Sequence, residues 1–422
     1  MRRVSICLCI VVIVIIFNSN FSFANGFKIL GIKSTKASGM GEAFIAQADD
    51  PSAITFNPAG LTQVDGTQIS LGGTIMNGWC QYTSQEDEEE DMIDKWQTAP
   101  AVFITSDFGM ENFVAGIGVT APNGISSEWE EDSFARYVDT FSELILIDIN
   151  PSLSCKVNDN LSVGLGVSYY YSTATLESMV DYGSLIGFPG AFDGKNKLEG
   201  KGNTWGYNVG ILYKPNERHS FAATFKSPIT VDYKGETEFT DIPFFMGLGS
   251  SFDSDAETSI DFPAVVVLGY AYRPIDRLKL EFNLDWTNWE TLDSIEVDFE
   301  SPLLNDVTYD YEYKNTFAYK LGLEYLVNER LSMRGGYIYN ENATSEEKWR
   351  PSLPDTNSHF LTFGFGYAMD RFTIDGALEL VFYEDREIDN NVDNNETLTS
   401  SSIDGEYENF GVAFAVGITY KF

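Results

Sequence analysis

Residues 411–422, GVAFAVGITYKF, alternate without a break. Val412, Phe414, Val416, Ile418, Tyr420 and Phe422 fall on one face, and Gly411, Ala413, Ala415, Gly417, Thr419 and Lys421 on the other. Period two over this length predicts a β-strand with one apolar face. LSVGLGVSYYY (161–171), LKLEFNLDWTNW (278–289), FAYKLGLEY (317–325), FLTFGFGY (360–367) and FTIDGALEL (372–380) repeat the pattern. A strand of a soluble sandwich also alternates. The length and the terminal aromatic instead fit a lipid-facing barrel strand of ~9–11 residues. On the second face stand Lys279, Glu281, Asp285, Lys320 and Glu324. These charges suit a wet lumen and suit a dry sandwich core badly, because buried charge is costly.

Polar turns punctuate the strands at 107–112, 157–160, 214–219, 273–277, 327–330 and 369–371. Between them lie longer acidic or Gly/Ser-rich stretches near 79–95, 122–138, 177–199, 235–258, 298–312, 341–357 and 387–407. Short turns alternating with long loops are the asymmetry of an outer-membrane barrel. The rhythm predicts an all-β fold, a 14-stranded antiparallel transmembrane β-barrel over 66–422. The sheet must close, since an open edge in hydrocarbon leaves backbone groups unpaired.

Residues 25–65 hold no such alternation. TFNPAGL (55–61) is poor strand material, because Pro58 cannot donate to a ladder. Asn57 can cap a helical turn and Pro58 suits its first position. So short a segment is no independent domain. Its apolar residues, Phe27, Ile29, Leu30, Phe44, Ile45 and Phe56, predict a small hatch buried inside the barrel.

The start of the chain adds an address. Arg2-Arg3, an apolar run from Val4 to Phe17 and Ser22-Phe23-Ala24 read as a secretory signal peptide over 1–24. No later apolar run reaches the ~20 residues of a spanning helix. Aromatic residues nonetheless make up 14% of the chain, which a barrel's lipid-facing strands account for. Acidic residues outnumber basic ones 63 to 27, which argues against a nucleic-acid partner. The run Glu86–Asp91 reads as a solvated loop or, alternatively, as a divalent-cation site. Cys80 and Cys155 show no metal or CxxC spacing and are expected to be free thiols. No cofactor or metal is expected. His219 and His359 lack an evident nucleophile partner, so no enzyme is expected.

ASGMGEAFIAQADDPSAITFNPAGL (37–61), DFPAVVVLGYAYRPIDRLKLEFNLDWTNWETL (261–292) and RGGYIYNENATSEEKWRPSLPDTNSHFLTFGFGYAM (334–369) resemble the FadL/TodX family of outer-membrane transporters. Asn57-Pro58-Ala59 within the hatch is the most specific mark. The resemblance implies passive transport of long-chain fatty acids or similar hydrophobic small molecules. It implies capture from outside in a hydrophobic groove, a tighter pocket near the hatch, and sideways release into outer-membrane lipid through a kink in the third strand. Residues 113–129 supply that strand, with Gly118, Pro122, Asn123 and Gly124 as the kink. The alternative is that Pro122 merely starts an external loop. Phe27, Arg136, Lys314, Lys320 and Arg334 are candidate pocket residues; the four cations would otherwise line the lumen, paired with carboxylates. Apolar loop residues such as Trp129, Phe134, Leu185, Ile186, Phe188, Phe244, Phe245, Met246 and Leu248 could line the groove or dip into lipid. A monomer is expected, inserted by the barrel-assembly machinery through the strand ending at Phe422. The competing reading is a diffusion porin for polar solutes, which would have no need of an N-terminal hatch.

Overall fold

The computed structural model describes Gly31, residues 33–390, Val392 and residues 402–422. The leader and Phe27, Ile29 and Leu30 lie outside these residues. The strands are β1 (Thr67–Ser84), β2 (Glu89–Asp91 and Gln97–Ser106), β3 (Phe113–Glu128), β4 (Phe141–Asn158), β5 (Leu161–Asp181), β6 (Asp193–Asn216) and β7 (His219–Lys226 and Ile229–Thr240). They continue as β8 (Ser251–Phe262 and Val265–Ile275), β9 (Leu278–Thr287 and Ser294–Phe299), β10 (Val307–Asp310 and Thr316–Leu326), β11 (Leu331–Asn340), β12 (Ser358–Met369), β13 (Phe372–Tyr383 and Arg386–Ile388) and β14 (Gly405–Lys421). Every neighbouring pair is antiparallel, and β1 closes on β14 from Gln68↔Lys421 to Ser84↔Gly405. The result is a closed 14-stranded barrel.

Side-chain alternation explains where this barrel sits. Leu165, Ile211, Leu268, Leu321, Phe363 and Val416 are exposed on its outer face. Trp205, Phe317 and Phe410 stand toward the long-loop ends of that belt, and Tyr213, Tyr325 and Phe372 toward the short-turn ends. An apolar belt between aromatic girdles is the signature of a lipid-embedded barrel.

Several stretches expected as loops are ladder instead. β5 and β6 stay paired up to Asp181↔Asp193, and β7 and β8 up to Thr240↔Ser251. Above the hydrocarbon both faces of a strand meet water, so polarity alternates weakly and period two fades. The segment at Pro122 also remains strand, since β3 runs on to Glu128.

Ser34–Val64 folds inside the barrel as two short helices, α1 (Thr35–Ser38) and α2 (Ala53–Phe56), followed by a 3₁₀ turn over Pro58–Gln63. Asn57 caps that turn, accepting from the Ala59 N–H at 3.1 Å, and its amide donates to the carbonyl of Ile45 at 2.8 Å. The wall is flattened to receive it. A Cβ on Gly210 would collide with Asn57 Oδ1, and one on Gly164 with the backbone of Pro58 and Ala59. Asn57-Pro58-Ala59 is thus a compact knob seated on a glycine-cleared patch of β5 and β6. Across the lumen Gly336 and Gly364 give the same close approach to Gly41 and Gly39.

The inward charges do not line a wet lumen; they clamp the hatch. Lys320 is only 4% exposed and reaches Glu42 at 3.1 Å and Asp285 at 2.8 Å. Asp49 bridges Lys36 (2.6 Å) and Lys279 (2.9 Å), and Arg334 joins Glu324 (2.8 Å) and Asp375 (2.6 Å). Glu281 accepts the Ala46 N–H at 2.8 Å. Filling the lumen with protein strips water from these groups, so each is retained only with a partner.

Candidate functional site

Above the hatch the lumen holds two cavities. The lower one, which is open at one side, spans about 930 Å³ of space free of protein atoms, adjoining open space included. Its floor is Ile45 and Phe56 of the hatch; its wall includes Pro122 and Asn123 of β3, Leu146 of β4, Tyr170 of β5 and Phe262 of β8. The sequence breaks β7 at Ser227-Pro228 and β8 at Pro263-Ala264, because proline cannot donate to the ladder. Both breaks border this cavity.

The upper chamber, also partly open, spans about 870 Å³ with adjoining open space included and is lined by Ile125, Leu144, Leu176, Tyr233, Ile260 and Ile295. No Lys or Arg lines it among the described residues. Glu199 and Glu257 at its margin pair with the exposed Lys197 and Lys234 at 2.6 and 2.7 Å. Leu146, Tyr170, Ile229 and Phe262 below belong to the same apolar cluster as Ile125, Leu144, Tyr233 and Ile260 above. One continuous apolar layer therefore links the chambers, as passage of a hydrophobic molecule requires.

The wall is irregular beside the lower cavity. Between Thr120↔Asp148 and Asn123↔Leu146 the β3–β4 ladder slips, so Ala121 and Pro122 stand opposite Ile147 alone. That is a bulge. On its other side β3 joins β2 only from Val102↔Val119 down to Ser106↔Ala115. Among the described residues no ladder pair links Gln97–Ala101 to Thr120–Glu128. The strands meet again at the top, where the Ile93 N–H donates to the Glu128 carbonyl at 2.8 Å and Lys95 pairs with Glu128. A stretch of wall without ladder bonds thus lies level with Pro122 and Asn123, and a backbone break at membrane depth is tolerated where it borders a cavity. Gly124 is buried at this level, opposite Ile145. Gly118 lies lower, where a Cβ would press on Phe103 and on Ile54 of the hatch.

The mouth carries a lid and an open patch. Trp129 and Phe134, from the segment between β3 and β4, pack with Tyr82, Trp349 and Tyr407 as a buried cluster. They belong to the lid rather than to an open groove. Leu185, Ile186, Phe188, Phe244, Phe245 and Leu248 are exposed, Phe244 at 93%. Phe192 meets Phe245 edge-on at 5.5 Å, joining the two loops that bear them.

Asp139 ties the lid down. It is fully buried and accepts from Ser142 and Ser127, while Arg350 and Glu177 act on it from the facing loop and strand. Burial pushes its carboxyl up to about 7 from the ordinary value near 3.8. Ser127 Oγ carries one proton and stands 3.3 Å from Asp139 Oδ2 and 3.0 Å from the Ser352 carbonyl at the chamber's edge. A protonated Asp139 can donate to Ser127 and leave that proton for Ser352; an ionised one competes for it. Because the folded-state value is raised, the stabilisation is full below pH about 4 and is lost as pH rises through about 7. Once exchange is corrected for its intrinsic pH dependence, amides around Trp129 are therefore expected to be less protected at pH 8 than at pH 5.5. Asp139→Asn should flatten that dependence; an unchanged pH profile in the variant would contradict it.

The expected site residues separate. Lys320 lines the lower cavity but is held by Glu42 and Asp285. Arg334 is held within the wall by Glu324 and Asp375. Arg136 lies in the lid, 3.7 Å from Asp193 and over the Tyr137 ring. Lys314 is exposed. None of these last three borders either cavity. Lys33 and Lys226, which do line the lower cavity, were not expected. Lys226 had a signal: it follows the inward phase of FAATFK and precedes Ser227-Pro228.

A closed barrel plugged from within, with a continuous apolar passage above the plug, defines an outer-membrane channel for hydrophobic molecules. The chain belongs to the family described as outer membrane protein transport protein (OMPP1/FadL/TodX), whose model matches residues 15–422. That family transports fatty acids or hydrocarbons across the outer membrane and is one of channels rather than enzymes. A long-chain fatty acid transport protein of Salmonella typhi is 22% identical over 84% of this chain and 86% of its own. Outer membrane protein P1 of Haemophilus influenzae is 21% identical over 83% and 84%. Among solved structures, a Pseudomonas aeruginosa FadL homologue superposes with a TM-score of 0.82 at 21% identity, covering 94% of this chain and all of that one. The Ralstonia pickettii toluene transporter TbuX gives 0.72 at 18%, covering 93% and 99%.

Proposed function

We propose that this protein takes up long-chain fatty acids or similar hydrophobic small molecules passively and releases them sideways. The exposed aromatic patch between the β5–β6 and β7–β8 loops captures the molecule. It passes beneath the lid into the upper chamber and then the lower cavity. It leaves between β2 and β3, at the bulge beside Pro122, into outer-membrane lipid. The observation carrying this reading is the coincidence of three features at one level: the cavity, the bulge and the interrupted β2–β3 ladder. The protein acts as a monomer, and the strand ending at Phe422 is what the barrel-assembly machinery engages.

Uptake of labelled palmitate by cells lacking their own transporter tests the reading. Cells producing this protein should take it up, while purified barrels in planar bilayers should show little conductance for salts. Large steady conductance without palmitate uptake would instead mark a porin for polar solutes.

A further inference from the structure

We propose that the outer wall of β8–β11 binds one anionic phospholipid of the periplasmic leaflet, with an acyl chain in an apolar groove and the phosphate on arginines of the short turns beneath. This goes beyond the transport reading and does not depend on it. The groove spans about 1000 Å³, adjoining open space included. Two rows of outward side chains line it. Tyr270, Phe282, Leu321 and Tyr337 stand opposite one another across the four strands. Tyr272, Leu280, Leu323 and Gly335 form the next row toward the short turns. That second row ends in a notch, because Gly335 presents no side chain between Leu323 and Phe363. The inner face of the same wall accounts for the hollow. Gly322 and Gly336 let β10 and β11 lie directly on Met40 and Gly41 of the hatch. At the β7 margin His219 stacks on Tyr272, and its Nδ1 stands 2.8 Å from the Tyr270 hydroxyl, which holds the two tyrosines as one side of the groove.

The turns below supply the charge. Basic residues are scarce in this chain, but Arg218, Arg273, Arg277, Arg330 and Arg371 all fall in the four consecutive short turns from β6–β7 to β12–β13. The two short turns before them, 107–112 and 157–160, hold no arginine. Arg218, Arg277, Arg330 and Arg371 are exposed and each directly follows an acidic residue, and among the described residues they enter no ion pair. Arg273 differs, donating to the Asp276 carbonyl at 2.8 Å. Backbone bonds fix the spacing of the row. The Arg218 carbonyl accepts from the Arg273 N–H, that of Arg277 from Leu326 and that of Arg330 from Ala368. Arg277 stands three residues from Leu280, ~10 Å along the strand, so head group and chain meet the wall in sequence. A guanidinium fork matches a phosphate with two parallel bonds, where an ammonium offers a point charge. The choline or ethanolamine of a zwitterionic lipid brings its own cation to the phosphate; an anionic head group leaves that place to the arginines.

Native mass spectrometry of the full-length protein in a neutral detergent, titrated with dioleoylphosphatidylglycerol or dioleoylphosphatidylcholine, tests the site. The phosphatidylglycerol should saturate as a single adduct and bind tighter than the phosphatidylcholine. Arg277→Gln combined with Arg330→Gln should weaken phosphatidylglycerol roughly tenfold, as the loss of two cations at a lipid surface implies, and change phosphatidylcholine little. Gly335→Leu should weaken both lipids. A Cβ there makes only ordinary contacts at 3.8 Å, so the side chain fills the notch without strain. Lys156→Gln, on the arginine-free part of the rim, should leave both unchanged and controls for net charge. Heat-modified migration on gels verifies that each variant is a folded barrel. Equal loss of phosphatidylglycerol in the Lys156 and arginine variants would reduce the effect to bulk charge and overturn the site. Undiminished binding in the arginine variant, or in Gly335→Leu, would overturn it as well. A dimer free of bound lipid would assign the groove to a second copy of this chain and overturn the proposal.

Discussion

Cells producing a Gly124→Trp variant are expected to take up palmitate no faster than cells without the protein, although the barrel assembles normally. The position makes this a clean obstruction. Gly124 is buried where β3 has left β2, and its φ is not in the left-handed region, so a side chain strains no backbone there. Its ladder bonds run to β4 at Ile145, and an indole leaves them in place. A Pro122→Val change attacks the same feature differently. It restores a backbone N–H at the bulge and removes a ring that borders the cavity, which favours closure of β3 against β2. Ligand binding should survive in both variants, because the apolar layer above is untouched. Loss of binding together with uptake would point to a damaged cavity. Undiminished uptake at equal surface level would rule out release between β2 and β3.

The strands were legible because lipid on one side and protein on the other impose period two at each spanning segment. β14 and β10 could be read residue by residue. Legibility ended where that contrast ended. The upper hairpin of β7 and β8 stands above the lipid and carries little apolar alternation, so Gly235–Thr240 looked like loop while pairing with Ser251–Ala256. Pro122 was visible as a break, but its meaning depends on β2 parting company at Gln97–Ala101, and pairing between strands is not written in either strand alone. The same holds for charge. Alternation sent Lys320 and Arg334 inward correctly. It could not say that Glu42 would arrive from the hatch and Asp285 from β9 to consume Lys320, or that Arg334 would be held by Glu324 and Asp375.

Those buried charges make the second large effect an electrical one. In a lumen filled with water, Lys320→Met would be nearly silent. Here it takes from Glu42 and Asp285 the ammonium that holds both, with almost no solvent to replace it, and leaves Glu42 the longer pair to Lys33 at 4.0 Å. Breaking a buried pair by deleting one partner costs about 3–5 kcal/mol. The barrel is not expected to absorb that cost by unfolding, because its ladder closes on itself and the clamp is only one patch of its inner face. The hatch absorbs it, because it is held by side-chain bonds and packing rather than by the closed ladder. Glu42 also accepts the Gly31 N–H at 3.0 Å, so its displacement loosens the start of the hatch as well. The variant should therefore retain heat-resistant barrel migration while its hatch amides exchange faster and salt conductance appears in planar bilayers. Combining Lys320→Met with Glu42→Gln and Asp285→Asn removes the uncompensated charges and should restore most of the seal. A tight, fully protected hatch in the single variant would show that glycine-cleared packing at Asn57 and Gly41 holds the plug without the clamp. A leak that persists in the triple variant would assign Lys320 a role in seating the hatch that charge balance does not explain.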